Sequence, residues 1–70
     1  LFSSLNKLKK LDIKNNQIKM LNYDLFKDLF YLELLDLSRN KLELIDKCLF
    51  MNLFNLVDLN LSFNRIKYIE

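Results

Sequence analysis

The chain contains no glycine, proline, histidine or tryptophan, and it has one cysteine, Cys48. Each absence excludes something. Without glycine, no loop easily brings its backbone close enough to cradle a phosphate. Without histidine, the commonest general base and metal ligand is missing. Ser3, Ser4, Ser38 and Ser62 therefore have no imidazole to activate them, and the carboxylates are scattered instead of converging. One thiol forms neither an internal disulfide nor a metal site. The expectation is a protein that is not an enzyme and takes no cofactor or metal. A net charge of +2 is too small to argue for nucleic acid or a membrane surface. Charges interrupt every apolar stretch, so no run is long enough to span a bilayer. The start does not read as a signal peptide, and it already belongs to the pattern described next. The chain reads as a segment of a longer protein, and a missing leader says nothing about compartment.

What is there is a period. Leu32, Leu35, Leu37 and Asn40 share their spacing with Leu8, Leu11, Ile13 and Asn16, 24 residues earlier, and with Leu56, Leu59, Leu61 and Asn64, 24 residues later. Leu1-Phe2 recurs as Leu25-Phe26 and Leu49-Phe50, and Leu5 as Leu29 and Leu53. Ile18, Leu42 and Ile66 stay aliphatic, as do Leu21, Ile45 and Ile69. Phe and Asn keep step as well as Leu, which chance in a Leu-rich chain would not produce. The units are 1–24, 25–48 and 49–70.

Local periodicity gives the secondary structure. Leu11-Asp12-Ile13, Leu35-Asp36-Leu37 and Leu59-Asn60-Leu61 alternate apolar and polar, as in a short strand with one buried face. Such strands stack at roughly 4.8 Å into a parallel sheet, and parallel neighbours need the rest of each unit as a crossover. The crossovers carry apolar residues at irregular intervals, with a helical turn expected near Leu25–Phe30 and Leu49–Phe54. An all-helical repeat is the rival reading, because nothing in Leu25–Leu37 breaks a helix. The Asn at a fixed offset after each alternation argues against it, since a helix does not require one.

Leu-x-x-Leu-x-Leu-x-x-Asn-x-Leu resembles the leucine-rich repeat signature. The 24-residue period, with Phe26 and Phe50 in the crossovers, resembles the typical subfamily found in Toll-like receptors, small leucine-rich proteoglycans and insect extracellular leucine-rich immune proteins. The missing Gly and Pro depart from typical crossovers. The resemblance covers the whole chain. It implies a right-handed α/β leucine-rich repeat solenoid, a horseshoe segment with a short parallel sheet on its concave face and irregular or short helical crossovers on its convex face. It implies recognition of a protein or other macromolecular ligand by the concave face, in an extracellular receptor or secreted innate-immunity ectodomain. The alternatives are a cytosolic scaffold or regulatory domain, and a spacer that binds nothing. Terminal caps are absent from the sequence, so both ends are expected to expose core-facing Leu and Phe.

The candidate recognition surface is the polar side of the sheet. Alternation places Lys10, Asp12 and Lys14 there, then Leu34, Asp36 and Ser38, then Asp58, Asn60 and Ser62. Asn15, Arg39 and Phe63 follow, and then Gln17, Lys41 and Arg65. Leu34 and Phe63 are apolar where water is expected, and Arg39 beside Phe63 is the composition of a binding hot spot. The candidate partner-binding residues are Leu34, Asp36, Ser38, Arg39, Lys41, Asn60, Phe63 and Arg65. Asp12 and Asp36 would be unfavourable neighbours, which marks either a site for a cationic group or a structural default. Lys7, Lys9, Lys10, Lys14 and Lys19 make the first unit basic, suiting an acidic partner or simply a strand edge protected from aggregation. Asn60-Leu61-Ser62 fits the N-glycosylation acceptor pattern. Asn16, Asn40 and Asn64 are expected to satisfy backbone groups in the turns, and Phe2, Phe26 and Phe50 to form a buried, edge-stacked ladder.

Overall fold

The computed structural model describes residues 7–69, so Phe2 and the other features of residues 1–6 lie outside it. Three short strands, β1 (Lys10–Asp12), β2 (Leu34–Asp36) and β4 (Asp58–Asn60), pair in parallel in the order β1-β2-β4. Lys10 faces Leu34 and Leu34 faces Asp58, so each step of the register spans the 24-residue period. The strands begin one residue before the expected triplets. The hydrogen-bond ladder still continues through them: Ile13 donates to the Asp36 carbonyl (3.0 Å) and Leu37 to that of Asn60 (2.9 Å).

A second sheet was not anticipated. β3 (Leu44–Ile45) pairs in parallel with β5 (Tyr68–Ile69) on the way out of each unit. Its pairs, Leu44 with Tyr68 and Ile45 with Ile69, again keep the period. The helical rival fails: the described residues contain no α-helix. The turn expected at Leu25–Phe30 is a run of turns over 23–28, while a 3-10 helix occupies Lys47–Phe50. Asp46 caps that helix by accepting from the Cys48 amide at 2.8 Å, which meets one of the donors that a helix start leaves unpaired. Cys48 is a free, half-buried thiol.

Stacking decides burial. Phe26, Leu29, Leu32, Leu35, Leu37 and Leu42, all of the middle unit, are fully buried. Their counterparts among the described residues of the flanking units are less covered: Leu35 is 0% exposed and Leu59, the same position one unit on, is 39%. A unit does not bury its own apolar face; it needs a neighbour on each side. Phe26 and Phe50 stack with centroids 6.4 Å apart and planes 10° from parallel, so the ladder is face-stacked and not edge-stacked. In-register repetition brings identical rings beside each other on equivalent backbone, which favours near-parallel planes. Phe30 and Phe54 form a second such pair at 6.1 Å.

The asparagines close the turns after the strands. Asn40 Oδ1 accepts from the amides of Asn16 (2.9 Å) and Ile18 (3.1 Å) in the preceding unit. Its Nδ2 donates to the carbonyls of Ile13 (3.2 Å), Leu37 (3.0 Å) and Ser38 (3.2 Å). Asn64 repeats the pattern toward Leu42 and Leu37. Among the described residues, the Asn16 side chain donates only to carbonyls of its own unit, Ile13 and Lys14, and Asn16 is exposed.

Position in the stack, not residue type, should therefore set the cost of truncation. Leu35→Ala is expected to cost about 3 kcal/mol through lost burial and a residual cavity, and Leu59→Ala under about 1 kcal/mol, in urea unfolding. Asn40→Ala should cost about 1–3 kcal/mol because buried backbone groups lose partners. Asn16→Ala should fall well below that in the same measurement, and equal midpoints for the two variants would contradict the ladder.

Candidate functional site

The strands hold two groups of side chains outward. On the sheet face, Lys10, Leu34 and Asp58 form one row and Asp12, Asp36 and Asn60 the next. Asp58 and Asn60 are exposed, and Leu34 and Asp36 half-buried. The second row is occupied locally. Asp12 Oδ1 accepts from the Lys14 amide (3.1 Å), Asp36 Oδ1 from the Ser38 amide (2.9 Å), and Asn60 Oδ1 from the Ser62 amide (3.0 Å). This is the side-chain turn that Asp and Asn form with the amide two residues on. It gives the two neighbouring carboxylates a structural occupation, and Lys14 Nζ lies 3.7 Å from Asp12 Oδ2.

Ser38 corrects the alternation argument. It was expected on the open surface, yet it is 5% exposed and its hydroxyl donates to Asp36 Oδ1 at 2.6 Å. Its neighbours in the stack cover it, which a single-strand pattern does not reveal. These bonds hold the Asp36 carboxyl below its ordinary value of 3.8. The Ser38 hydroxyl is the largest cause and the Ser38 amide the next; partial burial opposes them and the charge of Lys14 adds a little.

The second group lies just beyond the strands. Arg39 and Phe63 occupy equivalent positions and both have left-handed backbone, φ 56° in each; Asn15, the same position in the first unit, has φ 61°. A residue with a Cβ pays roughly 1–2 kcal/mol for that conformation, and this chain has no glycine to avoid it. Turning the backbone this way sends the next residue, Asn40 or Asn64, inward to the ladder. The amides of Asn15 and Arg39 donate to the Ser38 and Ser62 carbonyls at 3.1 and 3.0 Å, tying each turn to the next unit. The Arg39 guanidinium carbon sits 4.3 Å from the Phe63 ring centroid, within the range of a cation–π contact. Arg39, Lys41, Phe63 and Arg65 line an open groove of about 400 Å³ with Gln17, Asn40 and Asn64.

The expected site residues thus divide. Arg39, Lys41, Phe63 and Arg65 are brought together in the groove; Leu34, Asp36 and Asn60 belong to the sheet face; Ser38 is withdrawn beneath Asp36. The positive φ at Arg39 and Phe63 escaped sequence reading because neither residue type announces it; the Asn that follows was the only signal. Asn52 and Asn55, which donate to the Lys27 and Phe30 carbonyls of the preceding unit, were also missed. They have no asparagine counterpart one period earlier. Among the described residues, no group of three His, Cys, Asp or Glu is placed to hold a metal ion. No helix among them is long and apolar enough to cross a membrane.

A parallel sheet paired at a fixed period, closed by a repeated asparagine, defines a class of stacked-repeat scaffolds. Within that class the chain belongs to the leucine rich repeat family, whose model matches residues 6–66. No curated protein matches it. Domains of this family generally mediate protein–protein interaction and are typically non-enzymatic binding scaffolds.

The Asp36 arrangement sets a sign. Its folded value lies below the ordinary one, so its stabilising contribution is fully present above the ordinary value and is lost as pH falls through the folded value. Ser38→Ala should raise the Asp36 carboxyl midpoint toward 3.8 in an NMR titration. Lys14→Gln should raise it less, and the reverse order would contradict the assignment of Ser38 as the main cause.

Proposed function

We propose that this chain is a recognition segment of an extracellular receptor or secreted immune-type ectodomain. It docks a protein partner on the outward, concave face of its three-stranded sheet, as one curved portion of a longer solenoid. One observation carries this reading. The frame satisfies itself through the asparagine ladder and the stacked core, so exposed Asp58 and half-buried Leu34 are not used to hold it together. A rigid surface with side chains free for contact loses little conformational entropy when it binds. The groove at Arg39 and Phe63 continues that surface past the strand ends.

Asn60 supports the extracellular placement. It is exposed, and the Ser62 hydroxyl donates to its Oδ1 at 2.7 Å, leaving the amide nitrogen without a hydrogen bond among the described residues. The acceptor pattern needs such an accessible nitrogen. A glycan there would cover part of the third strand and leave the Leu34 side open. The unpaired Cys48 thiol is the observation that favours the cytoplasmic alternative.

Two measurements test the proposal. A photo-crosslinker at position 34 should capture the partner, whereas one at position 54, on the crossover side, should not; capture from 54 alone, or from neither, refutes docking on the sheet face. The naturally produced protein should lose mass at the Asn60 peptide on treatment with peptide N-glycosidase. An unmodified Asn60 together with a reduced Cys48 would favour the cytoplasm.

A further inference from the structure

Lys41 and Arg65 stand at equivalent positions in adjacent units. Their amides tie them to the preceding unit, Lys41 to the Ile18 carbonyl (2.8 Å) and Arg65 to that of Leu42 (2.9 Å). Strand-like stacking puts such positions about 5 Å apart in backbone terms. Two cations held in register repel one another. Arg39 adds a third, laid on the Phe63 ring. None of the three has an acidic side chain within ion-pair distance among the described residues; the ion pairs there are Lys14–Asp12 and Lys67–Glu43. The third member of this column, Gln17 in the first unit, is uncharged, so the cations are concentrated in the second and third units.

The backbone strain falls at the same place. Arg39 and Phe63 are both held left-handed, and a strained pair that also stacks is a pre-ordered one. A guanidinium held over a ring by a cation–π contact makes no hydrogen bond to it, so its N–H groups stay free for a carboxylate, which guanidinium grips through two parallel hydrogen bonds. Phe63 is 69% exposed, so much of the residue remains open to a ligand beside Arg39.

We infer that this groove binds a short acidic segment of a protein partner, two or three Asp or Glu carboxylates set against Arg39, Lys41 and Arg65. The inference rests on the recognition reading above and gives that partner a chemistry. Extended polyanions fit less well. Asp36 and Asp58 on the adjoining sheet face would repel a continuing row of phosphates or sulfates. The charge complementarity is local, so the matching segment turns neutral or basic where it passes onto the sheet.

The test uses the 70-residue chain and a fluorescein-labelled peptide with a Glu-Glu-Glu core between neutral flanks, read by anisotropy at physiological ionic strength, where remote charges are screened. Arg39→Asn combined with Arg65→Gln should weaken binding by at least about tenfold, because charge pairs at a binding surface are being removed. Asn tolerates the left-handed backbone, so Arg39→Asn removes the guanidinium without forcing the turn to change. If the double variant loses its native circular dichroism, Arg39→Asn alone carries the comparison, with a smaller loss in the same direction. Lys7→Gln with Lys10→Gln, outside the groove, should change affinity less than about twofold, as expected for a screened remote charge. The inference is overturned by absence of peptide binding, by undiminished binding in the folded groove variant, or by equal loss in the Lys7 and Lys10 variant. It is also overturned if a heparin oligosaccharide or a single-stranded oligonucleotide of similar charge displaces the peptide at lower concentration. Peptide failure with position-34 crosslinking intact removes the acidic-segment inference and leaves sheet-face docking standing. Peptide binding without crosslinking at position 34 does the opposite.

Discussion

The Asn40 side chain is the interaction on which the rest depends. One amide accepts two backbone N–H groups from the unit before and donates to three carbonyls, two of its own unit and one of the unit before. Without it, a turn that is buried between stacked units would hold unpaired polar groups in a dry place. With it, the chain can turn sharply at the end of every strand and still bury Leu37 and Leu42 on either side. The ladder also fixes the register, because each asparagine reaches back to a defined partner one unit away. Stacked Phe26 and Phe50 follow from that register; they could not face each other if it slipped.

The same turn produces the candidate site. Sending the asparagine inward requires the residue before it to be left-handed, and here those residues are Asn15, Arg39 and Phe63. The structural demand and the surface chemistry are thus joined at neighbouring positions. Arg39 and Phe63 are exposed because Asn40 and Asn64 turn inward beside them. The aspartates of the sheet face show the opposite coupling. Asp12 and Asp36 look available in a strand diagram, yet each is occupied by an amide two residues on, and Ser38 is covered in the process.

Much of this was legible from residues alone. The fixed offset of Asn16, Asn40 and Asn64 after an apolar alternation implied parallel pairing with a 24-residue step, and the register of Lys10, Leu34 and Asp58 agrees. The middle-unit core, Phe26, Leu29, Leu35 and Leu42, followed from the same table of recurrences. Other features escaped for identifiable reasons. The Leu44–Ile45 pairing with Tyr68–Ile69 is two residues long, too short for a period-two signal. Ring planes depend on rotamers, which spacing does not encode. Burial of Ser38 depends on what the adjacent units place over it.

The sequence by itself determined which residues recur, which face of each strand is apolar, and that the chain must stack to bury a core. Periodicity carries those facts because a repeat unit has to be compatible with its own copy. Only the tertiary structure decided which outward residues share a surface. Arg39, Lys41, Phe63 and Arg65 are separated by up to 26 positions in the chain and meet because hydrogen bonds between units lay one turn beside the next. Contact between units depends on distances across the stack, and those distances exist only once the asparagine ladder has set the register.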